Sequence, residues 1–365
     1  MQGKCRRVPG CVNHSASETP FSPAARPRAA RSPENDRASG RKGPRLRAGA
    51  RLRIGLLSGL LGWVACSAIP PHPDVDAPEG TFSPALLRAH LAALEPLEPR
   101  FPGSRADEIA RTYLERELEL AGARVEVRLD GGRRHLVARI EGASRDRIQL
   151  VAPYPALASP LWVDDGGAVL LLELARVFGR SAPAYTLELA LAEVQPTRIE
   201  DPQTGTDFTS DDRELDPRWV PLVSREEARQ ALVDAGESLV RVTAADDGPG
   251  RLRAVVVFDV SARGGVRLAR DLRSHAGFRD LFWQTAAELG WTSTFPEEGH
   301  WASPIGLHTA FRGRTVDRVL ALVDESTDAS PTSPRAAALE PVGFVAVEAL
   351  ERLMERFQKV DAFAG

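Results

Sequence analysis

Apolar runs of strand length and of helix length alternate along most of this chain, and that order limits the folds open to it. The predicted strands cover residues 123–129, 135–140, 147–153, 186–192, 253–260 and 318–324. The predicted helices begin at Ser83 and Ser104 and then cover residues 168–178, 224–234, 278–289 and 336–357. This order predicts one three-layer α/β domain over residues 83–365, with a mixed, mostly parallel sheet, a hairpin at one edge and helices on both faces.

Positive charge is concentrated at the start of the chain. Residues 1–53 contain 13 Lys and Arg against 3 Asp and Glu, whereas the remaining 312 residues contain 34 against 47. The acidic body lacks the positive surface that nucleic acids require, so we expect no nucleic-acid partner. Residues 1–44 are rich in Arg, Pro, Ser, Gly and Ala without an apolar period, which predicts a disordered segment or an extension from a misplaced start codon.

A short apolar segment ends at the last of the three cysteines. Four arginines precede the run 54–65, which is followed by Cys66 and a proline-rich stretch. These features predict a secretory signal peptide over residues 45–66, because the run is too short to span a bilayer. The alternative is a buried apolar helix with an incidental cysteine. No cysteine follows residue 66, so thiol ligands and thiol catalysis are excluded from the predicted domain.

The ending Val64-Ala65-Cys66 resembles a bacterial lipobox, although Trp63 stands where leucine is usual. The resemblance implies that Cys66 is lipidated and becomes the N-terminus of an exported protein. We therefore expect a membrane-anchored lipoprotein of the bacterial envelope, on the periplasmic or outer-membrane side. Residues 67–82 are then interpreted as a proline-rich tether.

Acidic residues follow three of the predicted strands. Asp164 and Asp165 come after the strand 147–153, Glu193 directly follows the strand 186–192, and Asp259 ends the next strand. The carboxyl ends of parallel strands meet at one edge of a sheet, where ligands commonly bind. Converging carboxylates favour a bound cation, so the pattern indicates a metal site or its remains; ordinary surface acids are the alternative.

The histidines are scattered singly along the sequence. We expect His90 and His135 on helix and strand surfaces, and only His300 and His308 fall in one loop region as candidate metal ligands. No serine-hydrolase elbow, Walker loop or dinucleotide-binding glycine motif is present, which leaves those classes without support.

Three segments together resemble one family of enzymes. They are Arg100-Phe101-Pro102-Gly103-Ser104 with the helix after it, the run GGAVLLLELARVF and the closing LEPVGFVAVEALERL. In this order they are similar to the co-catalytic zinc exopeptidases typified by bacterial leucyl aminopeptidases, and within these to the glutaminyl cyclases. The resemblance covers residues 97–357 and implies a zinc aminopeptidase-like fold.

The resemblance also implies which positions would hold zinc and which would move a proton. It places Glu193 at the proton-shuttling glutamate, Asp164 or Asp165 near the bridging aspartate, and Asp259 at a later ligand. The remaining ligand positions hold residues that cannot bind zinc: Pro153, Pro155, Val194 and Ser326. Because catalytic zinc needs about three protein ligands, we expect no metal cofactor.

These observations favour a degenerate, non-catalytic member of the family over an enzyme, because most of the metal-ligand positions hold residues that cannot bind zinc. Its retained cleft would bind a peptide or protein partner, with Glu193 and Asp259 attracting an amino group and Trp219 forming an apolar wall. The alternative is an active zinc-dependent aminopeptidase or glutaminyl cyclase with a site rebuilt from Asp165, Glu193, Asp259 and His300 or His308. A third possibility is a purely structural lipoprotein.

Overall fold

Six strands form one mixed sheet in the computed structural model of this chain. The structure describes residues 68–98, 100, 102–155, 165–195, 199–200, 207–208, 225–244, 250–262, 265–297, 301–302, 305–312, 318–324 and 336–364. The strands of the main sheet are β1 (Arg124–Asp130), β2 (Arg133–Ile140), β3 (Ser144–Pro155), β4 (Tyr185–Val194), β7 (Leu252–Asp259) and β10 (Val319–Val323). Two short ribbons pair β5 (Ile199–Glu200) with β6 (Asp207–Phe208), and β8 (Arg270–Asp271) with β9 (Trp301–Ala302).

Helices cover both faces of this sheet. They are α1 (Pro84–Leu94), α2 (Arg105–Leu120), α3 (Gly166–Gly179), α4 (Arg225–Ala244), α5 (Ala276–Glu288) and α6 (Glu340–Ala364). Short 3-10 turns occupy Glu95–Leu97, Leu307–Phe311 and Ala336–Ala338. Among the described residues, no helix is long and apolar enough to cross a membrane.

The strand order is β1-β2-β4-β3-β7-β10. β1 and β2 form an antiparallel hairpin, β2 pairs antiparallel with β4, and β4, β3, β7 and β10 run parallel. The carboxyl ends of these four parallel strands therefore lie at one edge of the sheet, as the sequence predicts.

Two apolar cores lie on the two faces of the sheet. The larger, on what we call the first face, includes Ala152, Leu191 and Phe258 together with residues of α1, α2, α3, α5 and α6. The smaller, on the second face, includes Ala192 and Val257 together with α4 and the 3-10 turn Leu307–Phe311. The predicted fold class, a mostly parallel α/β sheet with helices on both faces, is confirmed.

Serine side chains cap the first two helices of the domain. The Ser83 hydroxyl accepts a hydrogen bond from Leu86 N at 3.3 Å, and the Ser104 hydroxyl accepts one from Asp107 N at 3.2 Å. Both are N-caps that satisfy otherwise unpaired amides. The helix predicted from residue 224 continues to Ala244, and the closing helix begins at Glu340 after a 3-10 turn rather than at residue 336.

The expected surface positions of two histidines are wrong, because His90 and His135 are both buried. His90 Nδ1 lies 2.7 Å from the Tyr113 hydroxyl, and His135 Nε2 lies 2.8 Å from the Ser238 hydroxyl. Burial lowers the pKa of each imidazole to about 4, so both are neutral at pH 7. A neutral imidazole with a hydroxyl partner is tolerated in a core, which sequence spacing does not reveal.

Candidate functional site

The candidate site is the edge at which the four parallel strands end. Tyr154 of β3 lies beside Glu193 of β4 in the strand register, and Asp259 of β7 lies beside Val323 of β10. Glu193, Asp259 and the start of α3 at Asp165 thus lie at the same edge, as the positions of the strand ends predict.

Strand alternation nevertheless separates Glu193 from Asp259. Glu193 lies two residues after Leu191 and beside Tyr154, both of which belong to the core on the first face. Asp259 lies two residues after Val257, which belongs to the core on the second face. Because side chains two residues apart on a strand share a face, these two carboxylates project from opposite faces of the sheet.

On the first face, five charged side chains and one tyrosine form what we call the arginine network. Its residues are Arg100, Asp107, Arg134, Tyr154, Asp165 and Glu193. Arg100 makes an ion pair with Asp165, and their side chains are 2% and 3% exposed. The Arg100 guanidinium also lies over the Tyr154 ring, 5.7 Å from its centroid. Asp165, one of the two aspartates that the resemblance puts near the bridging position, is therefore ion-paired with an arginine.

Tyr154 joins that ion pair to the remaining members of the arginine network. Its hydroxyl donates to Asp107 Oδ1 at 2.8 Å, and Arg134 Nη2 lies 2.7 Å from Asp107 Oδ2. Burial raises the pKa of the Tyr154 hydroxyl, so this group remains a donor at neutral pH. The network thus links two arginines and three carboxylates through one neutral tyrosine.

Glu193 lies at the end of the network and is 2% exposed. Its Oε2 accepts a hydrogen bond from Arg134 N, while its Oε1 is buried without a hydrogen-bond partner among the described residues. Burial raises the pKa of Glu193, and the Asp107 charge raises it further; the hydrogen bond from Arg134 N, the Arg134 charge and the Gln195 side chain oppose this rise. Glu193 can therefore accept a further hydrogen bond.

The second face carries a different acidic group. Burial raises the pKa of Asp259 to about 6, and repulsion from Asp324 contributes to the increase. A Cβ placed on Gly306 would lie 3.1 Å from Asp259 Oδ2 and 3.5 Å from His308 Nδ1. The buried His308 ring and the Asp259 carboxylate therefore both lie close to Gly306.

Of the sequence-predicted site residues, the structure places Asp165, Glu193, Asp259 and His308. Asp164, Trp219, His300 and Cys66 lie outside the described residues, as does Ser326. Asp165 and Glu193 belong to the arginine network on the first face, whereas Asp259 and His308 lie together on the second. Arg100, Asp107, Arg134 and Tyr154 belong to the site although the sequence did not predict them as site residues. Arg100 and Asp107 stood only in scaffold segments of the family resemblance.

A zinc ion of the type that the family resemblance implies does not fit these residues. No three His, Cys, Asp or Glu residues in the described part of the chain are arranged to hold a metal ion. Asp165 is engaged by a buried arginine, and β3 separates β4 from β7, so that the rows bearing Glu193 and Asp259 lie about 10 Å apart. We derive no chemistry through zinc at this site.

Comparison with known proteins gives the class of fold. No protein-family model and no curated protein matches this sequence. Solved zinc exopeptidases and glutaminyl cyclases of bacteria do match over almost their whole length, so the chain has the fold of these enzymes and the predicted resemblance is confirmed at the level of the fold.

Three of these structures illustrate the similarity. A leucine aminopeptidase precursor from Bacteroides thetaiotaomicron is 15% identical, with a TM-score of 0.57 over 76% of this chain and 99% of that one. A glutaminyl cyclase from the same organism, bound to N-acetylhistamine, is 14% identical with a TM-score of 0.58 over the same shares. A Zn-dependent exopeptidase from Parabacteroides distasonis is 18% identical with a TM-score of 0.55, again over 76% and 99%.

Proposed function

We propose that this protein is an exported, non-catalytic protein of the bacterial envelope whose aminopeptidase-like domain binds a peptide or protein partner at the carboxyl edge of its sheet. The observation that carries the proposal is the buried ion pair between Arg100 and Asp165. A guanidinium remains charged at all relevant pH values, so a metal ion at Asp165 would have to displace it and leave a buried cation unpaired.

The proposed partner contact is an amino group on Glu193. The unpartnered Oε1 of this buried carboxylate supports an N–H donor from a ligand, since an unsatisfied buried acceptor is costly. The N-terminal amine of a peptide has both the donors and the positive charge to complement it. In the proposed site, Trp219 forms an apolar wall of the cleft.

Zinc content and catalytic activity test the absence of catalysis. The full chain, purified in detergent and supplied with zinc, is expected to retain less than stoichiometric zinc and to cleave no aminoacyl substrate and cyclise no N-terminal glutamine. Stoichiometric zinc that is lost in Asp165→Ala or Glu193→Ala, but kept in the exposed control Asp280→Ala, would overturn the proposal.

Peptide binding tests the role of Glu193. The probe is a pool of short peptides with free N-termini and the same pool acetylated. We expect the free pool to bind more tightly, and Glu193→Gln to abolish that preference because it removes the charge without changing the volume. Glu348→Gln on α6 is the control that keeps the preference. Equal binding of both pools by the wild type would show that no amino group is recognised.

An enzyme with a rebuilt site is the second candidate function. It is favoured by one observation, the proximity of Asp259 and the buried His308 around Gly306. The two candidates differ in which variants lose bound zinc. A site rebuilt on the second face would lose zinc in Asp259→Ala and His308→Ala but keep it in Glu193→Ala.

The proposed location depends on Cys66. We expect the protein to incorporate labelled fatty acid and to fractionate with membranes, and Cys66→Ser to lose both properties. Cys11→Ser provides the control, because it lies before the predicted signal peptide. A Cys66→Ser variant that remains labelled would contradict the lipid anchor and leave the fold-based part of the proposal unaffected.

A further inference from the structure

The outer edge of β1 is an unpaired sheet edge within the part of the chain that the structure describes. β1 is the first strand of the sheet order and pairs with β2 on its inner side. Such an edge presents a row of backbone N–H and C=O groups with which another strand can pair. Two apolar side chains of β1 are exposed as well, Val127 at 43% and Leu129 at 71%.

The turn of the hairpin determines which residues of β1 direct their backbone groups outward. Gly131 and Gly132 both have positive φ and form a two-residue turn, so the flanking residues Asp130 and Arg133 exchange both of their backbone hydrogen bonds. Every second residue back from Asp130 is bonded to β2 in the same way. The residues between them direct their N–H and C=O groups to the outer edge: Val125, Val127 and Leu129.

The partner of Leu129 in the hairpin agrees with this assignment. Arg134 lies opposite Leu129, and its N–H points away from β1 to donate to Glu193. Leu129 and Arg134 are therefore a non-hydrogen-bonded pair, and the backbone groups of Leu129 face outward.

We propose that β1 pairs antiparallel with β1 of a second copy of this chain, about a two-fold axis at Val127. Val127 then faces its own symmetry mate, and Val125 faces Leu129 of the other copy. Each of these pairs brings outward-facing N–H and C=O groups together, so the sheet continues from one copy into the next. This inference is independent of the proposed function.

The charged residues of β1 select this register. Arg124, Glu126, Arg128 and Asp130 lie on the opposite face of the strand from the three apolar residues. With the axis at Val127, Arg124 lies opposite Asp130 of the other copy. Glu126 lies opposite Arg128, so every charged pair combines opposite signs, which stabilises antiparallel strands.

The neighbouring registers place like charges together. An axis at Glu126 sets Arg124 opposite Arg128 and Glu126 opposite its own mate. An axis at Arg128 sets Glu126 opposite Asp130 and Arg128 opposite its own mate. Like charges directly opposite each other are destabilising, so both of these registers are disfavoured. Axes at Val125 or Leu129 also pair opposite signs, but they align only three residues of each β1, whereas the register centred on Val127 aligns all seven.

Some contacts within one copy compete with this pairing, since Asp130 already binds Arg241 at 2.8 Å and Arg128 donates to Val242 O at 3.2 Å. Glu126 has Arg124 at 3.0 Å and Arg128 at 3.3 Å on its own strand. Arg124 is 80% exposed, and exposed ion pairs of this kind contribute little to stability. The pairing would also cover Val127 and Leu129, because the apolar residues of both strands share one face.

Val127→Pro tests the pairing directly. Proline lacks an N–H, and at Val127 that group points outward, so the substitution removes a bond to the second copy and none to β2. We expect the full chain in detergent to sediment as a dimer and Val127→Pro to sediment as a folded monomer, with unchanged circular dichroism. Leu272→Lys, which changes an exposed apolar residue outside β1, is expected to remain a dimer.

A charge exchange tests the register without altering the backbone. Glu126→Arg sets arginine opposite Arg128 at two symmetric places, and we expect dimerisation to weaken about tenfold or more. Adding Arg128→Glu restores opposite signs and is expected to restore the dimer. A monomeric wild type, a dimer unaffected by Val127→Pro and Glu126→Arg, or a loss without rescue would overturn the proposal. A wild type that is monomeric alone and pairs with a different protein at this edge would also overturn it.

Discussion

At the scale of single residues, Arg100 and Asp165 stand out because both are almost completely buried. Arg100 lies in a motif that also resembles the family scaffold, and Asp165 occupies the N-cap position of α3. The pair places a permanent organic cation at the edge where the family resemblance implies a metal ion. Since a buried charge depends on its partner, each member of this pair should be much more costly to remove alone than together with the other.

Arg100→Met is therefore expected to destabilise the protein by about 3–5 kcal/mol, because the Asp165 carboxylate would remain buried without its partner. The double variant Arg100→Met with Asp165→Leu should recover most of that loss. Urea unfolding measures both changes. Arg88→Met, which breaks an exposed pair with Glu340, is the control and should cost about 0–1 kcal/mol. If the loss in the double variant equals the sum of the losses in Arg100→Met and Asp165→Leu alone, the two residues are not coupled.

Because the pKa of Asp259 is raised in the folded protein, its ionisation should lower the free energy of unfolding as the pH rises. Its pKa of about 6 in the folded protein exceeds the ordinary value of 3.8, so the folded state binds the proton more tightly than the unfolded state. The resulting stabilisation is complete below about pH 4 and is lost as the pH rises through about 6. Asp259→Asn should therefore gain up to about 3 kcal/mol relative to the wild type above about pH 6.

Urea unfolding of both proteins across this pH range checks the prediction. Asp280→Asn, an exposed aspartate on α5, is the control and should show no such pH-dependent gain. A constant difference between Asp259→Asn and the wild type at all pH values would mean that ionisation of Asp259 is not responsible.

At the scale of elements, the position of α3 against the sheet depends on one glycine. A Cβ on Gly167 would lie 2.5 Å from the carbonyl oxygen of Phe258 in β7 and 3.0 Å from Ala152 Cβ in β3. Both contacts are closer than a methyl group tolerates, and one of them is with backbone. The first turn of α3 can therefore approach the strands, and hold Asp165 at their edge, because residue 167 has no side chain.

Gly167→Ala should destabilise the protein by about 1–3 kcal/mol, although alanine favours helices, because α3 must move away from β7. Thermal or urea unfolding measures the change. Gly265→Ala is the matched control, since no described atom lies within 4 Å of its added methyl group. A neutral or stabilising Gly167→Ala would show that α3 moves without cost.

At the scale of the whole molecule, the sheet divides the candidate site into two parts. The arginine network lies on the first face with five of the helices, and Asp259 with His308 lies on the second with α4. The segment after the predicted signal peptide contacts the domain on α2, where Arg116 donates to Pro70 O at 2.6 Å and His72 lies 2.7 Å from Glu117. Residues 70 and 72 therefore lie against α2.

A chelator should therefore leave the Tm of the full chain unchanged, and added zinc should not raise it. A ligand that binds only the folded state stabilises it by mass action, so a structural or catalytic zinc would increase the Tm. Differential scanning calorimetry with chelator, with zinc and with magnesium as the control measures this. A zinc-specific increase in Tm would contradict the proposal that the arginine network replaces a metal.

The order of helices and strands could be predicted from the sequence, because each element depends on a local pattern of apolar residues and caps. The apolar residues of 186–192 predict β4, the all-round apolar run 168–178 predicts α3, and Ser83 and Ser104 mark two helix starts. The site could be predicted only in part. The strand ends predict that Glu193 and Asp259 reach one edge, since parallel strands share a direction.

The sequence by itself determined the fold class, because apolar periodicity is a local pattern, and the family resemblance implied that Pro153, Pro155 and Val194 stand where ligands would be. The tertiary structure alone decided that Glu193 and Asp259 project from opposite faces, that His135 is buried, and that Arg100 neutralises Asp165. Those facts depend on strand register and on contacts between residues as far apart as 100 and 165, for which no local pattern carries a signal.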